Sequence, residues 1–465
     1  MLRVDAISRA PLRHKIARKI ARQIARMLRH DSHIAVFLCM AGVACAPVPS
    51  TRVVPRRNNL AALRAHIDSL VGKSEYRTAE WGILAVNPGR GDTIYAHRPA
   101  TLMVPASNMK IITSAVALAQ LGGDFRFTTT FASHGTISNG VLNGDLVVTG
   151  RGDPTLSDRM RGSARAAMDS LADSIISHGI RTITGHIYSG ADNFPGPHVG
   201  AGWDWDDLDA SYAAGVDELL FNEGMARVVV HVANGDSLVK SAPAADPSKD
   251  YLDELERALE ARGVRSGLGV AEGVVPPDGV PLDTIFVARS VPLRAVLPYF
   301  LKPSQNQIGE VLMRTVGLER AGVGTADSGI SVAGRQLAAW GIPHDGYELH
   351  DGSGMARADL ISPETIVRIL DRMQSSPDFE SFFNALPVAG VDGTIGQRMR
   401  GTRAQNNVHA KTGSLQWVRS LSGYVTDGDG ERIIFSVLAN KWTTPSSVVT
   451  ATADSIAAAL ASYRK

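Results

Sequence analysis

Pro105-Ala106-Ser107-Asn108-Met109-Lys110 runs directly into Ile111-Ile112-Thr113-Ser114-Ala115-Val116-Ala117-Leu118. Proline suits the first turn of a helix, where its missing N–H would have no partner anyway. The apolar run after it predicts a buried helix. Ser107 and Lys110 stand three apart, so both side chains fall on one helical face. A hydroxyl beside an amine on such a helix is a nucleophile beside its base. Burial or a second cation lowers a lysine pKa, and neutral Lys110 can then take the Ser107 proton. The helix N-terminus adds backbone N–H groups aimed at the same place. Ser-x-x-Lys also occurs on ordinary surface helices, so the reading needs support from elsewhere in the chain.

Two further motifs supply it. Lys302-Pro303-Ser304-Gln305-Asn306 stands between helical patterns at 291–301 and 308–315. Lys411-Thr412-Gly413 lies in a strand-like stretch at 408–415. Alone, the first is a loop cap and the second a solvated strand end. Ser-x-x-Lys, Ser-x-Asn and Lys-Thr-Gly in this order make a joint signal for acyl transfer through serine. Each residue type has a task in that chemistry. Ser107 attacks a carbonyl and Lys110 takes its proton. Ser304 bridges Lys110 to the leaving nitrogen and passes it a proton. The Asn306 amide both donates and accepts, which suits a substrate peptide bond. Lys411 and Thr412 grip a terminal carboxylate. Gly413 lets the edge backbone come close to the substrate. Backbone N–H groups of Ser107 and Ser414 form the oxyanion hole.

At these residues the chain resembles the class C, low-molecular-mass penicillin-binding proteins, the D-alanyl-D-alanine carboxypeptidase/endopeptidases of the type-4 kind. The resemblance covers roughly residues 58–465. It extends to Gly150-Arg151-Gly152-Asp153-Pro154-Thr155-Leu156, to Asp351-Gly352-Ser353-Gly354 and to the segment from Leu386 to Thr394. It implies an α/β (α+β) fold of the serine β-lactamase/penicillin-binding type, with inserted β-rich domains. It further implies peptidoglycan stem peptides as substrates and β-lactams as inhibitors that acylate Ser107. Ser304 follows Ser107 by 197 positions in the sequence. Class A β-lactamases have far shorter separations and a deacylating Glu motif, which is not found here. An esterase or β-lactamase on the same site, and a wall-binding protein without catalysis, stay open as alternatives. No His pair with a carboxylate stands at metal-ligand spacing, so neither a metal nor a cofactor is expected.

Farther out, residues 59–73 read as an amphipathic helix, and 81–86 with 93–96 as strands around an Asn-Pro-Gly loop. Short alternating segments and turns fill 125–283, the expected insert, interrupted by helical patterns at 164–177 and 251–262. The catalytic domain is expected in two parts, 59–124 and 284–465. Ser362-Pro363 should open a helix, and strands at 421–425 and 432–438 should form a hairpin.

The N-terminus differs from the rest. Residues 1–46 carry nine Lys/Arg and two Asp, while the remainder carries 39 basic and 44 acidic residues. A mildly acidic body argues against nucleic-acid binding. The apolar run from Ile34 to Ala46 is short, follows basic residues and ends in small ones, as an export signal does. Residues 1–46 are therefore expected to be a signal peptide, and 47–58 a linker. Translation from Met27 would give that signal an ordinary length. The alternative for the basic stretch is a membrane-surface helix, with Ile16, Ile20, Ile24 and Leu28 on one face. Both cysteines, Cys39 and Cys45, lie in the signal. Either the signal is cleaved after Ala46, or Cys45 carries a lipid anchor.

Overall fold

Nearly every residue from Arg432 to Asn440 is buried, although a strand with one face in water would bury only alternate positions. Ile433, Phe435 and Val437 enter one apolar cluster, and Ile434 and Leu438 enter another. Both faces of this strand are therefore covered by other elements. The computed structural model describes residues 60–231, 237–274 and 281–465. The expected signal, Met27, Cys45 and the 47–58 linker lie outside the described residues.

Helix α1 (Leu60–Val71) precedes the hairpin β1 (Glu80–Asn87) and β2 (Asp92–His97). A 3-10 turn, Ala106–Asn108, then leads into α2 (Met109–Leu121). All residues from Met109 to Leu118 are buried, as the apolar run predicts.

The next stretch builds a second sheet. Its strands are β3 (Thr128–Ser138), β4 (Val141–Gly150), β5 (Thr182–Ile183) and β6 (His186–Ser189). A separate hairpin follows, β7 (Met225–His231) with β8 (Ser237–Pro243). The sheet is completed by β9 (Arg265–Ser266), β10 (Gly269–Val274) and β11 (Asp283–Arg289), in the order β10-β6-β4-β3-β11 with β5 and β9 alongside. Helices α3 (Ala164–Ser177) and α4 (Pro247–Glu260) bury Met168, Ala172, Leu252 and Leu255 against Phe131, Leu146 and Val148 of the sheet. Pairing of β4 with β6 is parallel, across α3, so this region mixes helices with its strands. The expected boundary at 283/284 falls on β11, which pairs with β3 and carries the sheet to Arg289. That strand is half exposed along an edge, so apolar alternation does not announce it.

The chain then returns to the first layer. Helices α5 (Asn306–Ala321), α6 (Ala326–Ala339) and α7 (Pro363–Met373) surround α2. The Ser362 hydroxyl caps α7 by accepting from Thr365 N at 3.1 Å, and Pro363 occupies its first position, as expected. A small pair, β12 (Tyr347–Glu348) and β13 (Leu360–Ile361), precedes the closing strands β14 (His409–Leu415), β15 (Val418–Thr426) and β16 (Arg432–Asn440). With β1 and β2 these form an antiparallel sheet in the order β14-β15-β16-β1-β2. The last helix, α8 (Ser446–Ser462), packs with α1 on one face of that sheet, and α2 and α7 cover the other. Strand β14, which carries Lys411-Thr412-Gly413, is an edge.

Candidate active site

Ser107 sits on the 3-10 turn rather than inside an α-helix, and α2 begins two residues later. Ala106 before it has φ 47°, a left-handed conformation that costs a non-glycine residue free energy. The surroundings impose it. Ser420 Oγ donates to Pro105 O at 2.8 Å, and Asn108 Nδ2 donates to Lys411 O at 2.9 Å, tying the turn to β15 and β14. Gly354 stands against the other side, where a Cβ would lie 2.0 Å from Ala106 O.

Lys110 Nζ donates to Ser107 Oγ at 2.9 Å, to Asn306 Oδ1 at 2.7 Å and to Ser353 O at 2.6 Å. The side chain is fully buried. Burial pushes its pKa down to about 7, against the opposing pull of Asp351, Glu310 and Asp359. Near neutral pH a large fraction of Lys110 is thus unprotonated and able to accept a proton.

The three carboxylates form a buried layer around this lysine. Asp351 accepts from the backbone N–H groups of Ser353, Gly354, Met355 and Ala356, and from the Trp203 indole at 3.0 Å. That turn presents Ser353 O to Lys110 and sets Gly354 beneath Ala106. Burial, with Asp351 close by, pushes Glu310 up to about 8 and Asp359 well above the usual carboxylate range.

Ser304 departs from the expected bridge to Lys110. Its φ is 64°, and its hydroxyl accepts from Lys411 Nζ at 2.8 Å. The tight turn ahead of α5 aims this hydroxyl at β14. Asn306 also differs from a free peptide clamp. Its Oδ1 holds Lys110, while Nδ2 donates to Tyr212 O at 2.7 Å and to Met355 Sδ at 3.0 Å. Lys411 has no exposed surface, and burial followed by the Lys110 charge holds its pKa far below the ordinary lysine value. It supports Ser304 from behind and does not face solvent. Gly413 makes room for the nucleophile turn: a Cβ there would meet Ser420 Oγ at 2.1 Å and Pro105 O at 2.5 Å. Strand alternation explains this, because Thr412 and Ser414 line the cleft while Gly413 lies between them. The Thr412 hydroxyl is 2.7 Å from that of Thr394.

These groups meet in a cleft of about 750 Å3, lined by Ser107, Ser304, Asn306, Thr412 and Ser414 and walled by Trp205, Tyr212, Met355 and Trp417. One wall is a strap, residues 190–221, that leaves the second sheet after β6. Gln307 Nε2 fastens it by donating to Ser211 O at 3.2 Å and Ala214 O at 3.0 Å. Motif reasoning did not find Asp351, Trp203, Tyr212 or Thr394 as site residues. Asp351 and Thr394 lie in segments that resemble the family, without a role read for them, and the signal for the strap is Trp203-Asp204-Trp205-Asp206-Asp207, aromatic and acidic without periodicity in a loop. A serine beside a partly neutral lysine, backbone donors nearby and an open cleft can together carry out acyl transfer.

The family model of the D-Ala-D-Ala carboxypeptidase 3 (S13) family matches residues 63–247 and 237–463. A D-alanyl-D-alanine carboxypeptidase from an Actinomadura species is 30% identical over 87% of this chain and 85% of its own length. The D-alanyl-D-alanine carboxypeptidase DacB of Haemophilus influenzae is 28% identical over 78% of this chain and 86% of its own. The crystal structure of penicillin-binding protein 4 from Haemophilus influenzae superposes with TM-score 0.74 at 24% identity, covering 85% of this chain and 99% of that one, which supports the α+β penicillin-binding fold. With the family model spanning both the sheet that carries the cleft and the region between its halves, the chain belongs to the D-Ala-D-Ala carboxypeptidase 3 (S13) family.

Proposed function

We propose that this D-Ala-D-Ala carboxypeptidase works through an acyl-Ser107 intermediate in the cell envelope, trimming peptidoglycan stem peptides and opening D-amino-acid cross-links. The Ser107–Lys110 contact carries the reading, because the amine is buried, close and partly neutral. Lys110 takes the Ser107 proton as the hydroxyl attacks the carbonyl. The tetrahedral oxyanion is held by backbone N–H groups of Ser107 and Ser414. Collapse of the intermediate then passes that proton from Lys110 to the leaving amine, the Ser304 hydroxyl, held by Lys411, gaining one proton as it gives its own, and the Thr412 hydroxyl receives the substrate's terminal carboxylate. Water then resolves the acyl-enzyme. A β-lactam, shaped like a D-Ala-D-Ala end, acylates the same serine and leaves slowly. Residues 59–124 and the chain after Arg289 serve as the catalytic domain, and the stretch between, ending with β11, as the insert. Export follows from the N-terminal segment, either with cleavage after Ala46 or with a lipid at Cys45.

Labelled penicillin tests the central step. The adduct should survive denaturation, map to Ser107 by peptide mass, and vanish in Ser107→Ala. An adduct on another residue would refute the assignment. Mass spectrometry of products from cross-linked and uncross-linked muropeptides separates endopeptidase from carboxypeptidase action.

A further inference from the structure

A second cavity of about 300 Å3 opens at the root of the strap, between the end of β6 and the first turn of α4. One ligand-type atom from each of His198, Asp217 and Asp246 lies within 4.8 Å of the other two. His198 Nδ1 is 3.4 Å from Asp217 Oδ2 and is buried without a hydrogen-bond partner. Asp217 Oδ1 accepts from Glu218 N at 2.9 Å, and Asp246 Oδ1 caps α4 by accepting from Lys249 N at 2.8 Å.

Glu218 adds an independent sign. It is 4% exposed and lines the same cavity. Its Oε1 accepts from the Ser189 hydroxyl at 3.1 Å, while its Oε2 is buried without a donor and the side chain lies within hydrogen-bonding reach of the Asp217 carboxylate. A buried carboxylate oxygen without a donor is costly, and native structures satisfy such atoms with water or an ion. Arg314 lies close enough for its charge to act on Glu218 and Asp217, but no cationic side chain among the described residues donates a hydrogen bond to Oε2. Arg314 donates to the carbonyls of Phe194 and Pro197, and Lys249 pairs with Asp253 at 2.9 Å.

We propose that this cavity binds one divalent transition-metal ion, with Zn2+ the best match, through His198, Asp217 and Asp246. An imidazole with two carboxylates is a borderline donor set that suits zinc, whereas Ca2+ and Mg2+ favour oxygen ligands throughout. Three protein ligands leave a fourth position on the side of Glu218. The ion is structural and lies outside the catalytic cleft. His198 O accepts from Val216 N at 2.8 Å, so the two limbs of the strap already touch here. The ion would lock both limbs to the cap of α4. The ligands are spread over residues 198–246 on separate elements, so no sequence spacing announces them.

The test uses the full chain, stripped with a chelator and titrated with Zn2+ by calorimetry. One ion per chain should bind at this site and raise the thermal midpoint, and Ca2+ should not compete. Asp246→Asn keeps an acceptor for the helix cap but removes a charged ligand. His198→Ala removes the nitrogen. Each should weaken zinc binding by about a hundredfold or more, while labelled penicillin still reports a folded cleft. Should His198→Ala fail to fold, Asp246→Asn at its exposed position decides alone. Absence of one-to-one zinc binding would overturn the proposal. So would zinc binding unchanged in the folded variants, as sites on Cys39 and Cys45 would give, or calcium binding equal to zinc.

Discussion

At the scale of single residues, Lys110 sets a pH dependence whose sign follows from its role. The unprotonated amine is the base, and its pKa lies at about 7. Acylation by penicillin should therefore rise roughly tenfold per pH unit below pH 7 and level off above it, as stopped-flow labelling would measure. Lys110→Arg keeps the charge but stays protonated, so acylation should fall by roughly 100- to 10,000-fold. An arginine variant of near-normal rate would remove Lys110 from the proton path. Lys411 gives a second contrast. Because it is buried and donates to Ser304, Lys411→Ala should slow hydrolysis of an acid-terminated peptide and of its amide by similar factors, roughly ten- to a hundredfold. A loss confined to the acid would restore the carboxylate-gripping role that its position in the motif suggests. The sequence was legible for the Ser107–Lys110 contact, because three-residue spacing places side chains together whatever surrounds them. It was not legible for the partners of Ser304 and Asn306. A positive φ at Ser304 and contacts from a distant strap decide those, and neither leaves a mark in the local pattern.

Among elements, the nucleophile turn depends on what lies against it. Gly354 has φ 82°, and its missing Cβ leaves space for Ala106 O. Gly354→Ala should destabilise the protein by about 2–4 kcal/mol through strain and overpacking. The penicillin acylation rate should fall with it, because Ala106 would be pushed from the conformation that aims Ser107. Urea unfolding and labelling kinetics read the two effects separately, and an unchanged rate would free the turn from this support. Most helices and strands of the first layer follow from periodicity and caps, as α7 with its Ser362-Pro363 start illustrates. The 3-10 geometry under Ser107 was hidden. Proline and an apolar run look the same ahead of either kind of turn, and tertiary ties to β14 and β15 choose between them.

Across the whole molecule, the strap joins the second sheet to the cleft. The Trp203 indole donates to Asp351, the carboxylate that organises the turn behind Lys110. Trp203→Phe should lower stability by about 1.5–3 kcal/mol, the worth of a hydrogen bond to a charged group. It should also raise KM for a stem peptide more than it lowers kcat, since the strap walls the cleft and does not touch the reacting atoms. Steady-state kinetics with chemical denaturation would show this, and a pure kcat loss would contradict it. This connection was beyond sequence reasoning, since it joins residues 148 positions apart through one side chain.

The three acceptors around Lys110 have one more consequence. An ammonium has three N–H vertices, and here each already has an oxygen to meet. When one proton leaves, Asn306 and Ser353 can keep the remaining two, since both offer carbonyl-type oxygens that only accept. The vacated vertex then points at the Ser107 hydroxyl, the only one of the three partners able to donate in return. The lone pair is aimed before any substrate arrives, so the amine has no rotational search to complete between binding and attack.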